Sequence, residues 1–254
     1  MIHAPQRRPA PRSGRRPPPP QVAGAARPIW FLDLDDTLHD ASHAILPEIN
    51  GRMTRFVGRL LGLDADGANR VRLDYWRRYG ATLLGLVRHH AVDPRRFLDE
   101  THDLDIPALL RAERGLAARL RRLPGRLVLL TNAPHDYALR VLHAIGLARH
   151  VRARYTIESM RLFGRFRPKP SSSMLRLVLA REGLAAPGQR GRAVLVEDNL
   201  ANLRAARAAG MRTVLVGGAP VHGPRRLAGN AYVDARIGSV TRLPRAIAKV
   251  RRAG

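Results

Sequence analysis

Four short, largely apolar runs recur along the chain, at residues 29–32, 127–130, 193–196 and 213–216. Each run is continuous rather than alternating, which is typical of strands that are covered on both faces of a parallel sheet. A weaker strand candidate lies at residues 154–157, and a final edge strand is predicted at residues 231–233. Between the strong runs, apolar residues recur at the three- and four-residue spacing of helices. This alternation predicts an α/β fold, a doubly wound, three-layer, Rossmann-like parallel sheet.

The stretch after the first run has a different pattern. Helical periodicity covers residues 48–63, 68–79 and 94–101, and no strand alternation interrupts it. We therefore expect a helical insertion over residues 41–110. The α/β core would then consist of residues 28–40 together with residues 111–240.

The two ends of the chain differ from this core. Residues 1–27 are rich in Pro and Arg, contain four consecutive prolines and carry no acidic residue. Such a composition cannot bury enough apolar surface to fold, which predicts a disordered basic tail. Residues 241–254 are basic and predict a C-terminal helix or tail, with the helix over residues 243–252.

Polar side chains follow three of the strong runs at the point where each run ends. Asp33 and Asp35 follow the first, Thr131-Asn132 the second and Glu197-Asp198 the third. The carboxyl ends of parallel strands meet at one edge of the sheet, where open α/β folds build their sites. Two carboxylates as close as Asp33 and Asp35 are unfavourable without a cation or a shared proton. We expect a metal site or an acid/base pair there, with Asp33 as the nucleophile.

Lys169 is unusual in this chain because nearly every other basic residue is arginine; Lys249 is the second of the two lysines. It lies in a Pro-flanked loop over residues 164–170, and Pro170 suits the first turn of a following helix. A compact ammonium can fit between a phosphate and a carboxylate where a planar guanidinium does not. Lys169 is therefore a candidate for the same site.

Composition narrows the function classes. The formal net charge is +25, but the arginine enrichment is uniform and brings no RNA-binding aromatic motif and no zinc finger, so nucleic acid is not expected as the partner. The charge would instead help to steer a small phosphorylated substrate to the site. No apolar run is long enough for a membrane span, so no membrane partner is expected. The chain has no cysteine, which suits a cytoplasmic location.

Taken together, these motifs resemble the haloacid dehalogenase-like (HAD) hydrolase superfamily over residues 28–220. Asp33-Leu34-Asp35-Asp36-Thr37 is similar to its first motif, and Thr131, Lys169 and Glu197-Asp198 are similar to the second, third and fourth. The resemblance implies a magnesium-dependent phosphatase or phosphotransferase that passes through an aspartyl phosphate. It also implies a helical cap of the C1 type over residues 41–110.

The same resemblance implies a role for each motif. Asp33 would be the nucleophile and Asp35 the general acid and base. Thr131, Asn132 and Lys169 would bind the phosphate, through a hydroxyl, a backbone N–H and an ammonium group. Mg²⁺ would be held by Asp33, the backbone carbonyl of Asp35 and Asp198, with Glu197 nearby or acting through water.

Within the superfamily, the chain resembles the pyrimidine 5′-nucleotidase group, on the stretch Tyr79–Leu86 and on Asp93-Pro94. That group usually has Thr where this chain has Ala81, and Asp-Asp where this chain has Glu197-Asp198. Glu-Asp also occurs in sugar-phosphate mutases and phosphatases, which leaves a phosphomutase open. A dehalogenase is disfavoured by the acid at Asp35. A basic nucleic-acid-binding protein is the alternative from a different class.

Overall fold

The structure, a computed structural model, describes residues 27–217 and 231–252. The predicted tail therefore lies outside the described residues, apart from Arg27. Six strands form one sheet, and every neighbouring pair in it is parallel. From one edge to the other, the strands are Val151–Tyr155, Arg126–Leu130, Ile29–Leu32, Ala193–Glu197, Arg212–Val216 and Ala235–Ile237. The first strand along the chain thus lies near the centre of the sheet, with its two neighbours drawn from distant parts of the sequence.

The elements have the following bounds. The strands are β1 (Ile29–Leu32), β2 (Arg126–Leu130), β3 (Val151–Tyr155), β4 (Arg161–Leu162), β5 (Arg165–Phe166), β6 (Ala193–Glu197), β7 (Arg212–Val216) and β8 (Ala235–Ile237). The helices are α1 (Ile45–Leu61), α2 (Ala65–Tyr79), α3 (Thr82–His90), α4 (Pro94–His102), α5 (Ile106–Leu109), α6 (Leu116–Leu120), α7 (His135–Ala144), α8 (Ser172–Arg181), α9 (Pro187–Arg190), α10 (Leu200–Ala208) and α11 (Leu243–Arg252).

Alternate residues of the central strands enter two separate cores, as the period of a strand requires. On one face Trp30 and Leu32 pack with residues of α7 and α11. On the other face Phe31 packs with residues of α8 and α10. The sheet is therefore covered on both sides by helices, which confirms the predicted doubly wound α/β fold.

The turn into β2 depends on one glycine. Gly125 has a φ of 99°, and a Cβ at this position would lie 1.9 Å from the carbonyl oxygen of Pro28. The β1 and β2 chains therefore approach each other too closely there for any side chain. The close contact lies where β1 and β2 begin, and the opposite, carboxyl ends of the same two strands carry Asp33 and Thr131.

Helices α1 to α6 separate β1 from β2 along the chain, and the first four share a small core. Phe56 and Phe97 meet edge to face in that core, with ring centroids 5.1 Å apart. Gly85 of α3 lies directly against the ring of Tyr75 from α2. The division of the chain into core and cap domains stays a prediction.

Three local predictions are wrong. Residues 231–233 form a turn, and the last strand is β8, because Asp234 is held by the backbone N–H of Thr213 and the extended segment begins only after it. The loop before Lys169 contains the antiparallel hairpin β4–β5, whose two-residue strands are too short to show a period. The helix after Pro170 begins at Ser172, because the side chain of Ser171 caps it by accepting from Met174 N.

No helix in the described part of the chain has both the length and the apolar character to cross a membrane.

Candidate active site

Asp33 lies at the carboxyl edge of the sheet, directly after β1. Its backbone N–H donates to the carbonyl of Val196 at 3.0 Å, so the pairing with β6 continues one residue past the strand. The parallel register pairs Leu32 with Val196, which places Asp33 level with Glu197 at the end of β6. On the other side, the same edge carries Thr131, which follows β2. The strands therefore bring together three of the predicted motifs.

Lys169 joins two carboxylates of this edge. Its Nζ lies 2.8 Å from Oδ1 of Asp33 and 2.7 Å from Oε2 of Glu197. All three side chains are buried, Glu197 completely. Burial lowers the pKa of Lys169, but the charges and hydrogen bonds of the two carboxylates outweigh it, and the net shift is upward. Lys169 is therefore a fixed positive charge beside Asp33.

One ammonium does not balance the negative charge gathered here. Burial, followed by the charge of Glu197, raises the pKa of Asp33 well above its usual value despite Lys169. Burial and the charge of Asp33 likewise raise the pKa of Asp198 to about 6. The carboxylates of Asp33, Glu197 and Asp198 have ligand atoms within 4.8 Å of one another. Three carboxylates around one ammonium leave an excess of two negative charges, and their hard oxygen atoms are the ligands that Mg²⁺ prefers.

Within this cluster, Glu197 and Asp198 differ in their hydrogen-bond partners. Besides Lys169, Glu197 accepts from the side-chain amide of Asn202 at 3.0 Å and from the backbone N–H of Asn199 at 3.1 Å. Asp198 is only partly buried and accepts from the hydroxyl of Thr37 at 3.2 Å. Asp198 therefore has free acceptor capacity toward a metal, whereas the oxygens of Glu197 are already occupied by protein donors.

The Thr131-Asn132 pair contributes to the site in two ways. The buried hydroxyl of Thr131 accepts from the backbone N–H of Ala133 at 3.1 Å. The side chain of Asn132 makes two hydrogen bonds to the backbone of Lys169, donating to its carbonyl at 3.0 Å and accepting from its N–H at 2.9 Å. Asn132 thus fixes the loop that carries Lys169. The phosphate-binding roles of both residues stay predictions.

Asp35 turns to a different set of partners from Asp33. Its Oδ1 accepts from the phenol of Tyr137 at 2.6 Å and lies 3.0 Å from Nε2 of His39. Its carboxylate is not a member of the three-carboxylate cluster found among the described residues. Sequence reasoning missed Tyr137, His39 and Asn202. Tyr137 lies in the apolar stripe of α7 and is indistinguishable there from a core residue.

A cavity of about 820 Å³ opens between the helical insertion and the β4–β5 hairpin, close in sequence to Lys169. Among the described residues, no acidic side chain takes part in its lining, and arginines dominate it: Arg78, Arg88, Arg161, Arg165 and Arg167. Two aromatic rings, those of Tyr79 and Phe166, also line it. The guanidinium group of Arg161 lies 4.0 Å from the ring centroid of Phe166. This lining suits an anion that also carries a planar or apolar group.

Several known proteins are similar to this chain in sequence or in architecture. A family model described as haloacid dehalogenase-like hydrolase matches residues 30–210. The chain is 25% identical over 202 residues to Phosphate metabolism protein 8 of Saccharomyces cerevisiae, covering 75% of this chain and 61% of that protein. It is 29% identical over 202 residues to Phosphoglycolate phosphatase of Mesorhizobium japonicum, covering 75% and 83%. The crystal structure of HAD phosphatase from Thermococcus onnurineus matches with a TM-score of 0.57 at 18% identity, covering 87% of this chain and 97% of that one.

Proposed function

The chain belongs to the haloacid dehalogenase-like hydrolase family, and on this premise we propose that it is a Mg²⁺-dependent phosphomonoester hydrolase. The observation that carries the proposal is the buried contact between Lys169 and Asp33 beside the carboxylates of Glu197 and Asp198. It gives a nucleophilic carboxylate, a fixed positive charge for a phosphoryl group and an oxygen-rich metal site at one edge of the sheet.

In the first step, a carboxylate oxygen of Asp33 attacks phosphorus while the bond to the ester oxygen breaks. The electron pair of that bond leaves with the alkoxide, and Asp35 donates the proton that neutralises it. In the second step, a water attacks the phosphorus of the aspartyl phosphate, Asp35 takes the proton of that water, and the Asp33 carboxylate is released with inorganic phosphate. The ammonium of Lys169 stabilises the charge of the phosphoryl oxygens in both steps.

The carboxylates of Asp33 and Asp198 and the backbone carbonyl of Asp35 would hold Mg²⁺, with Glu197 acting through water. The bound ion would offset charge on the transferring phosphoryl group. The excess of carboxylates over ammonium groups supports this assignment, because burial and mutual repulsion already raise the pKa values of Asp33 and Asp198.

The first candidate substrates are pyrimidine nucleoside 5′-monophosphates. The arginine-lined cavity favours a substrate whose organic part is planar, polar or itself anionic, since its lining combines arginines with the rings of Tyr79 and Phe166. Phosphoglycolate is the second candidate, because a relative at 29% identity carries the name Phosphoglycolate phosphatase and the same arginines suit a carboxylate.

The test is a steady-state assay of p-nitrophenyl phosphate with and without Mg²⁺, followed by a panel of pyrimidine nucleotides, 2-phosphoglycolate, sugar phosphates and cofactor phosphates. We expect hydrolysis that requires Mg²⁺ and is abolished by a chelator and by Asp33→Asn. Full activity after either treatment contradicts the proposal.

A paired variant tests the substrate assignment separately. Arg161→Gln combined with Arg165→Gln should raise the KM of the preferred substrate by about tenfold or more, because two cations leave the cavity lining. The KM of p-nitrophenyl phosphate should change little. An equal change for both compounds shows that the cavity does not select the substrate.

A further inference from the structure

Asp35 is held through one of its two carboxylate oxygens. Both Tyr137 Oη, at 2.6 Å, and His39 Nε2, at 3.0 Å, contact the same atom, Oδ1. No hydrogen-bond partner of Oδ2 is found in the described part of the chain. The side chain of Asp35 keeps an exposed fraction of 24%, whereas that of His39 is completely buried. The anchored oxygen therefore faces protein donors, and the second oxygen is left for other partners.

The phenol of Tyr137 is a donor in this contact and stays one. Burial is the largest cause that raises its pKa, and the charge of Asp35 and its hydrogen bond add to the shift. The charges of Asp36 and Asp33 raise the pKa further. The O–H group therefore remains protonated and donates to Asp35.

His39 supplies the second donor if its proton lies on Nε2. Its other ring nitrogen, Nδ1, is buried and has no hydrogen-bond partner among the described residues. A proton on Nδ1 would be an unsatisfied buried donor, whereas a proton on Nε2 is satisfied by Asp35. The hydrogen-bond arrangement therefore places a proton on Nε2 of His39, where it can be donated to Asp35.

The ring of Tyr137 is itself fixed. It is almost completely buried in the core between the sheet and α7, and the ring of His102, at the end of α4, meets it at 5.6 Å between centroids. Arg140, one helical turn further along α7, donates to the backbone carbonyls of His102 and Leu104. Helix α7 thus contacts Asp35 through Tyr137, and it contacts the segment that follows α4 through Arg140.

We propose that Tyr137 and His39 are positioning residues that hold Oδ1 of Asp35, so that Oδ2 is the oxygen that gives and takes the proton. This inference rests on the proposed phosphatase function. When Asp35 is neutral, Oδ2 carries the proton and donates it to the leaving alkoxide. When Asp35 is ionised, Oδ2 receives a proton from the attacking water. Oδ1 is an acceptor in both states, so its two donors remain satisfied throughout the cycle.

The decisive variant is Tyr137→Phe, which removes one hydroxyl and keeps the packed ring. Its matched control is Tyr155→Phe, because Tyr155 is also buried and also donates to a carboxylate, Oε1 of Glu182, at 2.6 Å. Both variants lose one phenol–carboxylate hydrogen bond. Only the first loses a bond to Asp35, so a general effect on stability is shared by the two and a positioning effect is not.

The measurement compares kcat/KM, with saturating Mg²⁺, for an aryl phosphate and an alkyl phosphate. kcat/KM reports the steps up to loss of the alcohol, and only the alkyl ester needs a proton from Asp35 at that point. Tyr137→Phe should lower kcat/KM for the alkyl ester by about 10- to 100-fold, because it removes part of the contribution of general acid catalysis. It should change kcat/KM for the aryl ester by less than about threefold. Tyr155→Phe should change neither value by more than about twofold, since its lost bond lies away from the chemistry.

A second pair of variants covers the case in which Tyr137→Phe folds poorly. His39→Leu removes the donor, whereas His39→Gln keeps an N–H group at a similar distance along the side chain. We expect the alkyl-ester defect for His39→Leu and its partial rescue in His39→Gln. In an Asp35→Asn background, Tyr137→Phe should cause no further loss, because the proton transfer that it supports is already absent.

Three results overturn the inference, and they do so at different points. A wild-type protein that hydrolyses neither ester refutes the proposed function and the positioning role with it. An active wild type with equal losses on both esters in Tyr137→Phe refutes the positioning role alone. An additional loss in the Asp35→Asn background places the effect of Tyr137 on some other residue and also refutes it.

Discussion

Replacing Lys169 with methionine removes the ammonium that separates Asp33 from Glu197. Two contacts are lost at once, at 2.8 and 2.7 Å, and both carboxylates remain buried. Removing one partner of a buried ion pair costs about 3–5 kcal/mol. Two carboxylates depend on this one partner, so we expect the loss to fall near the upper end of that range in the absence of metal.

The loss should depend on pH. Without Lys169, the pKa of Asp33, which burial and the charge of Glu197 raise even beside the ammonium, should lie still further above that of the unfolded chain. A group with a raised folded pKa stabilises the protein at low pH, and this contribution is lost as the pH rises through the folded pKa. The Lys169→Met variant should therefore be closer in stability to the wild type at pH 5 than at pH 8.

The assay is urea unfolding followed by circular dichroism at the two pH values, with and without Mg²⁺. Arg126→Met is the matched control, because Arg126 pairs with the buried Glu182 away from the site. The control should lose less stability, and Mg²⁺ should not change that loss. Two results would refute the assigned charge balance. The first is a loss of unfolding free energy below about 1 kcal/mol for Lys169→Met, which is typical of an exposed ion pair. The second is a loss that grows toward acid pH.

Three further predictions concern other parts of the chain. Gly85→Ala places a Cβ 2.2 Å from Cγ of Tyr75, so the free energy of unfolding should fall by about 1–3 kcal/mol. Its control is Gly188→Ala, which has open space around the new Cβ and should change that free energy little. Burial lowers the pKa of His102 to about 4, so stability should fall as the pH drops from about 6.5 toward 4, by about 3 kcal/mol in total, and His102→Leu should flatten that dependence. Deleting residues 1–27 should leave kcat and KM nearly unchanged; a large loss would give the tail a role in turnover.

The sequence predicts most of the sheet because its strands are short, apolar and separated by helical periods. The charged residues at strand ends then meet by topology alone, as Asp33, Thr131 and Glu197 do. Lys169 stands out in the sequence because lysine is rare in this chain. Its contacts with Asp33 and Glu197 depend on a loop that no periodicity describes, and the structure supplies them.

The partners of Asp35 show where sequence reasoning ends. Tyr137 is 102 residues away and lies on a helix face that is otherwise apolar, so its hydroxyl gives no signal in the sequence. Glu197 is a similar case. An acidic residue beside Asp198 predicts metal binding or a cap, but only the fold reveals that Lys169, Asn202 and Asn199 already occupy its oxygens. Hydrogen-bond partners of this kind depend on tertiary geometry rather than on local pattern.

The proposed mechanism requires Asp33 to become phosphorylated during turnover, which a quenched reaction can detect. The enzyme is mixed with Mg²⁺ and excess p-nitrophenyl phosphate, quenched in acid within one turnover, and analysed by intact mass and by borohydride reduction with peptide mapping. We expect a mass increase of one phosphoryl group, with homoserine at position 33 after reduction. Hydrolysis that proceeds with no modified Asp33, or with the modification on another residue, contradicts the proposed mechanism.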